Sequence, residues 1–275
     1  MFTLRSKDSL ISFEGPVIMG IINITPDSFY KGSRNATADE ALFKAESMLK
    51  DGALILDVGG QSTSPKSKML TADEESKRVI PVIEAIKKEF PESIVSIDSF
   101  YSQVIESAVS AGADIVNDIS AGQIDEKILE VTGKAKLPYI LMHMRGTPQT
   151  MQENTGYTDL VPEIIKFFNE KIEACRAAGI TDIIIDPGFG FSKTIAQNFE
   201  LMNKLEAFKI WDFPLLVGVS RKSMLYKTLN ISEDESLNAT SVMNTVAVLK
   251  GASVLRVHDV KPAAECIKLI RQLHQ

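Results

Sequence analysis

Short apolar runs that each end in a hydrogen-bonding residue recur along the whole of this chain. The clearest example lies in residues 182–193, where three isoleucines lead into Asp186 and are followed by Pro187. A continuous β-branched run is typical of a strand that is buried on both faces, as in a parallel sheet. The stretch therefore predicts a buried strand with a carboxylate at its C-terminal end. Taken alone, Asp186 is explained equally well as the cap of the next turn.

Seven other apolar runs repeat this arrangement and give a total of eight predicted strands: 17–22, 53–56, 94–97, 114–116, 137–142, 183–185, 214–219 and 252–257. Segments with helical spacing separate them. Thr71 and Glu74 have the spacing of a capping box, and Gly112 is placed to end a helix. The main helices are predicted near 37–50, 71–86, 102–111, 125–132, 159–178, 195–207, 237–250 and 262–273, with a short one after 223.

Alternating strands and helices of this number predict a parallel βα array. We expect a single domain, residues 1–275, folded as an α/β (β/α)₈ TIM barrel, because closure of the barrel removes both sheet edges. An open doubly wound sheet is the alternative, but it normally carries a glycine-rich dinucleotide turn after its first strand, and residues 20–23 do not form one. Residues 2–4 and 11–14 are expected to form a short hairpin ahead of the barrel.

Composition narrows the classes of partner. The chain has 275 residues, a net charge of −6 and a pI near 5.3, which argues against nucleic acid or an anionic membrane as the main partner. Two cysteines without a CxxC pair and three histidines without ligand spacing suggest neither a disulfide framework nor a zinc site. The charged N-terminus does not resemble a signal peptide, and no apolar run approaches the ~18 residues of a membrane span. We therefore expect a cytoplasmic protein.

In a TIM barrel, the residues at the C-terminal ends of the strands share one mouth. Here that polar ring is predicted to contain Asn23, Asp57, Asp98, Asn117, His143, Asp186, Lys222 and His258, with Arg256 just before the last of them. Stability alone does not explain apolar runs that repeatedly end in polar groups, because burying such groups unpaired costs several kcal/mol. The ring is therefore a candidate ligand site.

Within the polar ring, two groups of residues suit two different kinds of ligand. One group alternates hydrogen-bond acceptors and donors, which suits a flat heterocycle with amino, ring N–H and carbonyl groups: Asp98, Asn117, Asp186 and Lys222. The other group suits an oxyanion held with a divalent cation, most simply a phosphate or diphosphate: Asn23, Arg256 and His258. The alternatives are structural, namely a salt bridge of Arg256 inside the barrel and an ion pair of Lys222 with Asp186.

Several motifs, in one order and spacing, resemble those of a known family. They are residues 20–29, 57–63, 96–99, 117–120, 186–191, 220–223 and 256–258. Together they resemble dihydropteroate synthase, and the similarity extends over about residues 15–270. Pterin-binding barrels of corrinoid methyltransferases share part of the ring but lack a Thr-Pro-Asp-Ser-Phe loop such as residues 25–29.

The resemblance implies an Mg²⁺-dependent alkyl-group transferase of folate biosynthesis. The family condenses 6-hydroxymethyl-7,8-dihydropterin diphosphate with 4-aminobenzoate and releases diphosphate. It also implies a homodimer and sulfonamides as inhibitors, because these drugs mimic aminobenzoate. Loops one and two, near residues 25–34 and 59–67, are implied to close over the site as lids, whereas the alternative is that they are plain surface connections.

By position, the resemblance assigns roles to most of the ring residues. Asp98, Asn117, Asp186 and Lys222 are expected to hold the pterin, with Ile119 and Met142 against its ring. Asn23 is expected to bind Mg²⁺, while Arg256 and His258 hold the diphosphate. Thr63, Phe189, Lys222 and Ser223 are expected to border the aminobenzoate. The residues expected to take part in the chemistry are Asp98, Lys222 and Arg256.

Loop two departs from the family pattern. The family usually has Ser-Thr-Arg-Pro-Gly, whereas this chain has Ser64 and Lys66 in place of the arginine and the glycine. A lysine at 66 or 68 supplies charge without the bidentate geometry of a guanidinium. This departure motivates a second hypothesis, a pterin-binding homologue that has lost turnover. A methyltransferase domain that uses a reduced folate and a Schiff-base lyase that uses Lys222 are further alternatives.

Overall fold

A parallel sheet of eight strands forms the centre of this computed structural model, which describes residues 1–24, 34–61 and 69–273. Within those residues, β3 to β10 are Val17–Asn23, Ile55–Gly59, Ile94–Asp98, Ile115–Asp118, Tyr139–Met142, Ile183–Asp186, Leu216–Val217 and Val254–Val257. The strands follow chain order around the sheet, with β10 between β3 and β9. A parallel bridge between Ile185 and Leu215 joins the two ends of the sheet. The expected barrel is therefore confirmed.

Helices cover the outside of the barrel. In the described part of the chain, α1 to α9 are Arg34–Lys50, Ala72–Glu89, Ser102–Ser110, Lys127–Ala135, Leu160–Ala177, Ile195–Asn203, Ser223–Leu229, Leu237–Leu249 and Val260–Leu273. The capping box predicted at the start of α2 is present, with the Glu74 backbone N–H donating to the Thr71 hydroxyl oxygen. None of these helices combines the length and apolar character needed to cross a membrane.

One end of the barrel is closed by the N-terminal hairpin. β1 (Phe2–Ser6) and β2 (Ser9–Phe13) pair antiparallel, as expected. Leu4 and Phe13 are buried in one cluster with inward-facing strand residues such as Ile140. Because this apolar plug fills the N-terminal end of the barrel, open space for a ligand remains at the C-terminal ends of the strands.

Several elements differ from their predicted bounds, and three examples show how. The strand expected over 214–219 is only Leu216–Val217; Pro214 lies ahead of it and has no backbone N–H to donate to a ladder. The helix expected over 195–207 ends at Asn203 and is followed by the 3₁₀ helix Leu205–Trp211. α1 begins at Arg34 rather than at Thr37. Loop one, apart from Arg34, lies outside the described residues. So do the loop-two residues Thr63, Ser64, Lys66 and Lys68.

Candidate active site

A cavity of about 450 Å³ opens at the C-terminal mouth of the barrel. It is lined by residues from most of the strand ends. Among them are ten of the residues predicted from sequence: Asn23, Asp98, Asn117, Ile119, Met142, Asp186, Lys222, Ser223, Arg256 and His258. Side chains that lie far apart in sequence therefore meet in one place, as the strand pattern predicts.

Arg256 is the centre of the polar network in this cavity. Its Nε donates to Asp57 Oδ2 at 2.7 Å, and its Nη2 donates to Asp98 Oδ2 at 2.6 Å. Asp57 is fully buried and also accepts from Asn117 Nδ2 at 3.1 Å. Asp57 thus orients both the guanidinium and the amide. The structural alternative for Arg256 is present too, because these contacts are salt bridges inside the barrel.

Glycine at position 59 allows the Asp98 side chain on β5 to lie close to the backbone of the adjacent strand β4. Gly59 pairs with Asp98 across β4 and β5. A Cβ atom on Gly59 would lie 3.2 Å from the Asp98 Cβ atom, which is tighter than ordinary side-chain packing. The second glycine of the 57–63 motif, Gly60, is equally confined, since its Cβ would lie 2.9 Å from a Val79 methyl group. These two glycines therefore allow the neighbouring side chains to pack closely against the backbone at the end of β4.

Opposing charges and burial shift the proton affinities of this network. Burial raises the pKa of Asp98 to about 7, although the Arg256 charge acts in the opposite direction. Burial also disfavours the charged form of Arg256, but Asp57 and Asp98 outweigh it and raise the Arg256 pKa. Arg256 is therefore a fixed cation, whereas Asp98 changes charge near neutral pH.

Asp186 and Lys222 line the same cavity. Asp186 Oδ1 accepts from the Gly188 backbone N–H at 2.8 Å, and burial raises its pKa. Lys222 donates to the Phe189 carbonyl oxygen and lies 4.5 Å from the centre of the Phe191 ring. Burial lowers the Lys222 pKa to about 8, against the raising effect of Asp186. The described residues show no ion pair between Lys222 and Asp186, so this alternative is not seen.

His258 lies at the cavity wall and is held by Ser220. Its Nδ1 is 3.0 Å from Ser220 Oγ, and its backbone N–H donates to the same oxygen at 3.2 Å. Burial, assisted by Arg256, lowers the His258 pKa to about 4. The imidazole is therefore neutral near pH 7 and acts through hydrogen bonds rather than through charge.

Two predicted positions take a different environment from the one expected. His143 does not line the cavity; it is 2 % exposed, and its Nδ1 is 3.0 Å from Nζ of the buried Lys193. Phe189 is fully buried in the main core, while Phe191 lies at the cavity wall. The positive φ angles of Gly188 and Gly190 change the direction of the chain at this point, which places the second phenylalanine toward the ligand space.

The sequence and the fold match known proteins over nearly their whole length. The model of the pterin binding enzyme family matches residues 19–258. The dihydropteroate synthase of Escherichia coli K12 is 39% identical over 269 residues, which are 97% of this chain and 95% of that protein. The Yersinia pestis dihydropteroate synthase, solved with a sulfonamide drug complex, has a TM-score of 0.92 at 38% identity, with 99% of each chain covered. The Xanthomonas albilineans enzyme, solved with 4-aminobenzoic acid, has a TM-score of 0.91 at 32% identity and covers 99% of this chain and 98% of that one.

This chain belongs to the dihydropteroate synthases. It is thus a transferase whose family acts on small-molecule substrates, and the resemblance drawn from the motifs is confirmed.

Sequence reasoning missed several residues at the dihydropteroate synthase site. Met151 and Gln152 line the cavity from the long loop after β7, where no strand pattern points to them. Lys193, which is buried and does not line the cavity, supports the loop beside it by donating to the carbonyl oxygens of Gly188 and Phe191 at 3.0 Å each, and it was not singled out either. The position of this lysine shortly after the motif at the end of a strand was the signal available in the sequence, but its burial depends on the fold.

The donor set at the cavity fits Mg²⁺ as a partner of a phosphate substrate. Among the described residues, no group of three or more His, Cys, Asp or Glu side chains could share a metal ion. Mg²⁺ does not need such a cage, because it commonly binds one or two protein oxygens together with substrate phosphates and water. Asn23 supplies such an oxygen at the end of β3, and its side chain has no hydrogen-bond partner in the described part of the chain.

Proposed function

We propose that this chain condenses 6-hydroxymethyl-7,8-dihydropterin diphosphate with 4-aminobenzoate to give 7,8-dihydropteroate and diphosphate, in folate biosynthesis. The observation that carries the proposal is the arrangement of one cavity, in which a heterocycle-binding set lies beside a cationic set. Asp98, Asn117, Asp186 and Lys222 form the first set, and Arg256 with His258 forms the second. Membership of the dihydropteroate synthases supports the same reaction.

The pterin ring fits between apolar walls and a polar edge. Ile119 and Met142 line the cavity and belong to one buried cluster, which offers a flat face a place to pack. Acceptors on Asp98 and Asp186 match the amino and ring N–H groups of a pterin, and the Lys222 ammonium matches its carbonyl oxygen. The Asn117 amide, oriented by Asp57, supplies both a donor and an acceptor.

Arg256 and His258 are proposed to hold the diphosphate, and Asn23 is proposed to hold the Mg²⁺ that accompanies it. When bound, Mg²⁺ neutralises oxygen charge and thereby makes diphosphate a better leaving group. Arg256 contributes a permanent positive charge because Asp57 and Asp98 raise its pKa. The same contacts fix the guanidinium plane before substrate arrives.

The reaction is proposed to be an ionising displacement at the pterin methylene carbon. Its bond to the diphosphate oxygen breaks, and positive charge develops on the methylene group and the conjugated ring. Ionised Asp98 stabilises that charge from a fixed position at the edge of the ring. The neutral amine of aminobenzoate then forms the new C–N bond and releases a proton. No activated protein nucleophile is needed.

Aminobenzoate is proposed to lie at the outer part of the cavity. Lys222 and Ser223 line this region from the turn after β9 and the start of α7. Phe191 takes the wall position that was expected of Phe189. Thr63 stays a proposal that lies outside the described residues. Because sulfonamides imitate aminobenzoate, we propose that they compete for this region.

We further propose that the protein is cytoplasmic and forms a homodimer, and exposed apolar side chains support the dimer. Apolar side chains with half or more of their surface exposed lie on neighbouring helices: Leu229 at the end of α7, Val242 and Leu249 on α8, and Leu269 on α9. Apolar patches of this kind commonly mark protein–protein contacts. Sedimentation velocity will distinguish the dimer from a monomer.

Diphosphate release that depends on 4-aminobenzoate tests the proposed reaction. Purified protein with pterin diphosphate and Mg²⁺ is expected to release diphosphate only when aminobenzoate is added, together with dihydropteroate. Binding of pterin diphosphate without release identifies instead the homologue that has lost turnover. Methyl transfer to a corrinoid protein, or trapping of a substrate on Lys222 by borohydride, identifies the other two alternatives.

A further inference from the structure

His258 has two ring nitrogens, and the protein engages one of them. Nδ1 lies 3.0 Å from Ser220 Oγ. Nε2 has no hydrogen-bond partner among the residues that the structure describes, and the ring lines the cavity. A neutral imidazole carries a single proton, so one nitrogen donates and the other accepts. The position of that proton therefore decides what His258 offers to a ligand.

The surroundings of His258 keep the ring neutral. Three cations face it, namely Arg256, Lys44 and Arg221, and they outweigh the single acid Asp259. Asp259 is itself engaged by Arg221 through contacts of 2.8 and 3.0 Å. Together with burial, these charges oppose a second proton on the ring. Any donor function of His258 near neutral pH thus depends on the tautomer.

The hydroxyl group of Ser220 selects between the two tautomers. Ser220 is 5 % exposed, and its oxygen accepts the His258 backbone N–H at 3.2 Å. Within the described residues, the hydroxyl proton has no acceptor other than Nδ1. Ser220 borders the cavity, but if Nδ1 carried the ring proton, its hydroxyl would have no acceptor among the described residues, an arrangement that native interiors avoid. The arrangement is satisfied when Ser220 donates to an unprotonated Nδ1.

The position of Ser220 is fixed by the turn that follows β9. Arg221, the next residue, has a φ of 54°, and its backbone N–H donates to Thr240 Oγ1 at 3.1 Å. The Lys222 N–H donates to the Val219 carbonyl oxygen at 3.1 Å and closes the turn. Because the backbone on both sides is hydrogen-bonded, the hydroxyl is held against the imidazole.

We propose that Ser220 is a positioning residue that holds His258 as the Nε2–H tautomer, so that Nε2 donates a hydrogen bond to an anionic oxygen in the cavity. The identity of that oxygen, as part of the diphosphate, rests on the proposed function. The opposite tautomer presents a lone pair to the same oxygen and repels it. Ser220 thereby makes a neutral histidine suitable for binding an anion beside Arg256.

Nitrogen NMR of ¹⁵N-histidine-labelled protein tests the tautomer without any substrate. The sequence contains three histidines, so the spectrum is simple, and His258→Gln assigns the signals of interest. We expect a pyridine-type resonance for Nδ1 of His258 and a pyrrole-type resonance for Nε2. A pyrrole-type Nδ1 in the unaltered protein overturns the proposal. This result stands whether or not the protein turns over the proposed substrates.

Kinetics of Ser220→Ala test how the tautomer is used. Loss of the selecting hydroxyl is expected to raise KM for pterin diphosphate by about 3- to 10-fold, which corresponds to part of the free energy of one charge-assisted hydrogen bond. The change in kcat is expected to be smaller. In the His258→Gln background the same substitution is expected to have no further effect. An equal effect in both backgrounds shows that Ser220 does not act through His258 and overturns the proposal.

Ser96→Ala is the matched control. Ser96 is a buried serine on β5 whose hydroxyl has no hydrogen-bond partner in the part of the chain that the structure describes, and it is not among the residues that line the cavity. This substitution is expected to leave KM and the His258 resonances unchanged. If Ser220→Ala fails to fold, the NMR measurement on the unaltered protein still decides the question.

Discussion

Replacement of Asp98 by asparagine separates the chemical role of this carboxylate from its role in the fold. The two side chains have the same shape, and an amide oxygen still accepts from Arg256 Nη2. What is lost is the negative charge beside the developing cation. Removing one preorganised electrostatic contact of this kind typically costs about 10²- to 10³-fold in kcat, and we expect a loss of that size or larger.

Although Asp98→Asn is expected to lower the activity, it is not expected to lower the free energy of unfolding above pH 7. Burial raises the pKa of Asp98 from 3.8 to about 7, so the folded state holds a proton that the unfolded chain releases. Stability contributed by the protonated form is present below about pH 4 and is lost as pH rises toward 7. The shift corresponds to a cost on the order of a few kcal/mol for ionised Asp98 in the folded state. Above pH 7 the asparagine variant is therefore expected to be at least as stable as the unaltered protein.

Three assays check these expectations together. Diphosphate release gives kcat and kcat/KM, the pH profile of kcat/KM shows whether a rise through about pH 7 disappears in the variant, and urea denaturation gives the free energy of unfolding at pH 5 and pH 8. Asp182→Asn, at the closed end of the barrel, is the control and is expected to keep full activity. A variant with activity within about threefold of the unaltered protein removes Asp98 from the mechanism.

Three other perturbations have defined outcomes. Removal of divalent cations by EDTA is expected to abolish turnover and added Mg²⁺ to restore it; activity that persists in EDTA contradicts the proposed metal. Ser64→Arg is expected to raise the activity or leave it unchanged in the same assay, and a steep loss would show that loop two works differently here. Gly188→Ala is expected to lower the free energy of unfolding by at least ~2 kcal/mol, because φ is +74° and a Cβ would lie 2.0 Å from the His143 carbonyl oxygen. Gly156→Ala is its control, because no heavy atom of the described residues lies within 4 Å of a Cβ placed there. Equal thermal stability of the two variants refutes the steric argument.

The convergence of the ring was predictable because it depends on strand direction alone. In a closed parallel barrel every strand ends at the same mouth, so Asn23, Asp98, Asp186 and His258 had to share it once the strands were identified. The pairing partners within the ring were not predictable. Arg256 and Asp57 are 199 residues apart, and their contact depends on the register of β10, β3 and β4.

The sequence pattern also could not predict where side chains point when they lie near glycines or buried cations. Gly188 and Gly190 have positive φ angles, so alternation along the strand does not continue through them. As a result Phe189 is buried in the core, and Phe191 lies at the cavity wall where Phe189 was expected. His143 turns from the cavity to Lys193, which lies 50 residues further along the chain. Such contacts are set by tertiary packing, which local periodicity does not encode.

A crystal soaked with pterin diphosphate, Mg²⁺ and an aminobenzoate analogue tests most directly whether the C-terminal mouth of the barrel binds a flat ring with an anionic tail. We expect the pterin against Asp98 and Asp186, and the diphosphate against Arg256 and His258. We also expect Asn23 to hold the metal ion that accompanies the diphosphate. Pterin density at any other place on the molecule, or a diphosphate that makes no contact with Arg256, would contradict it.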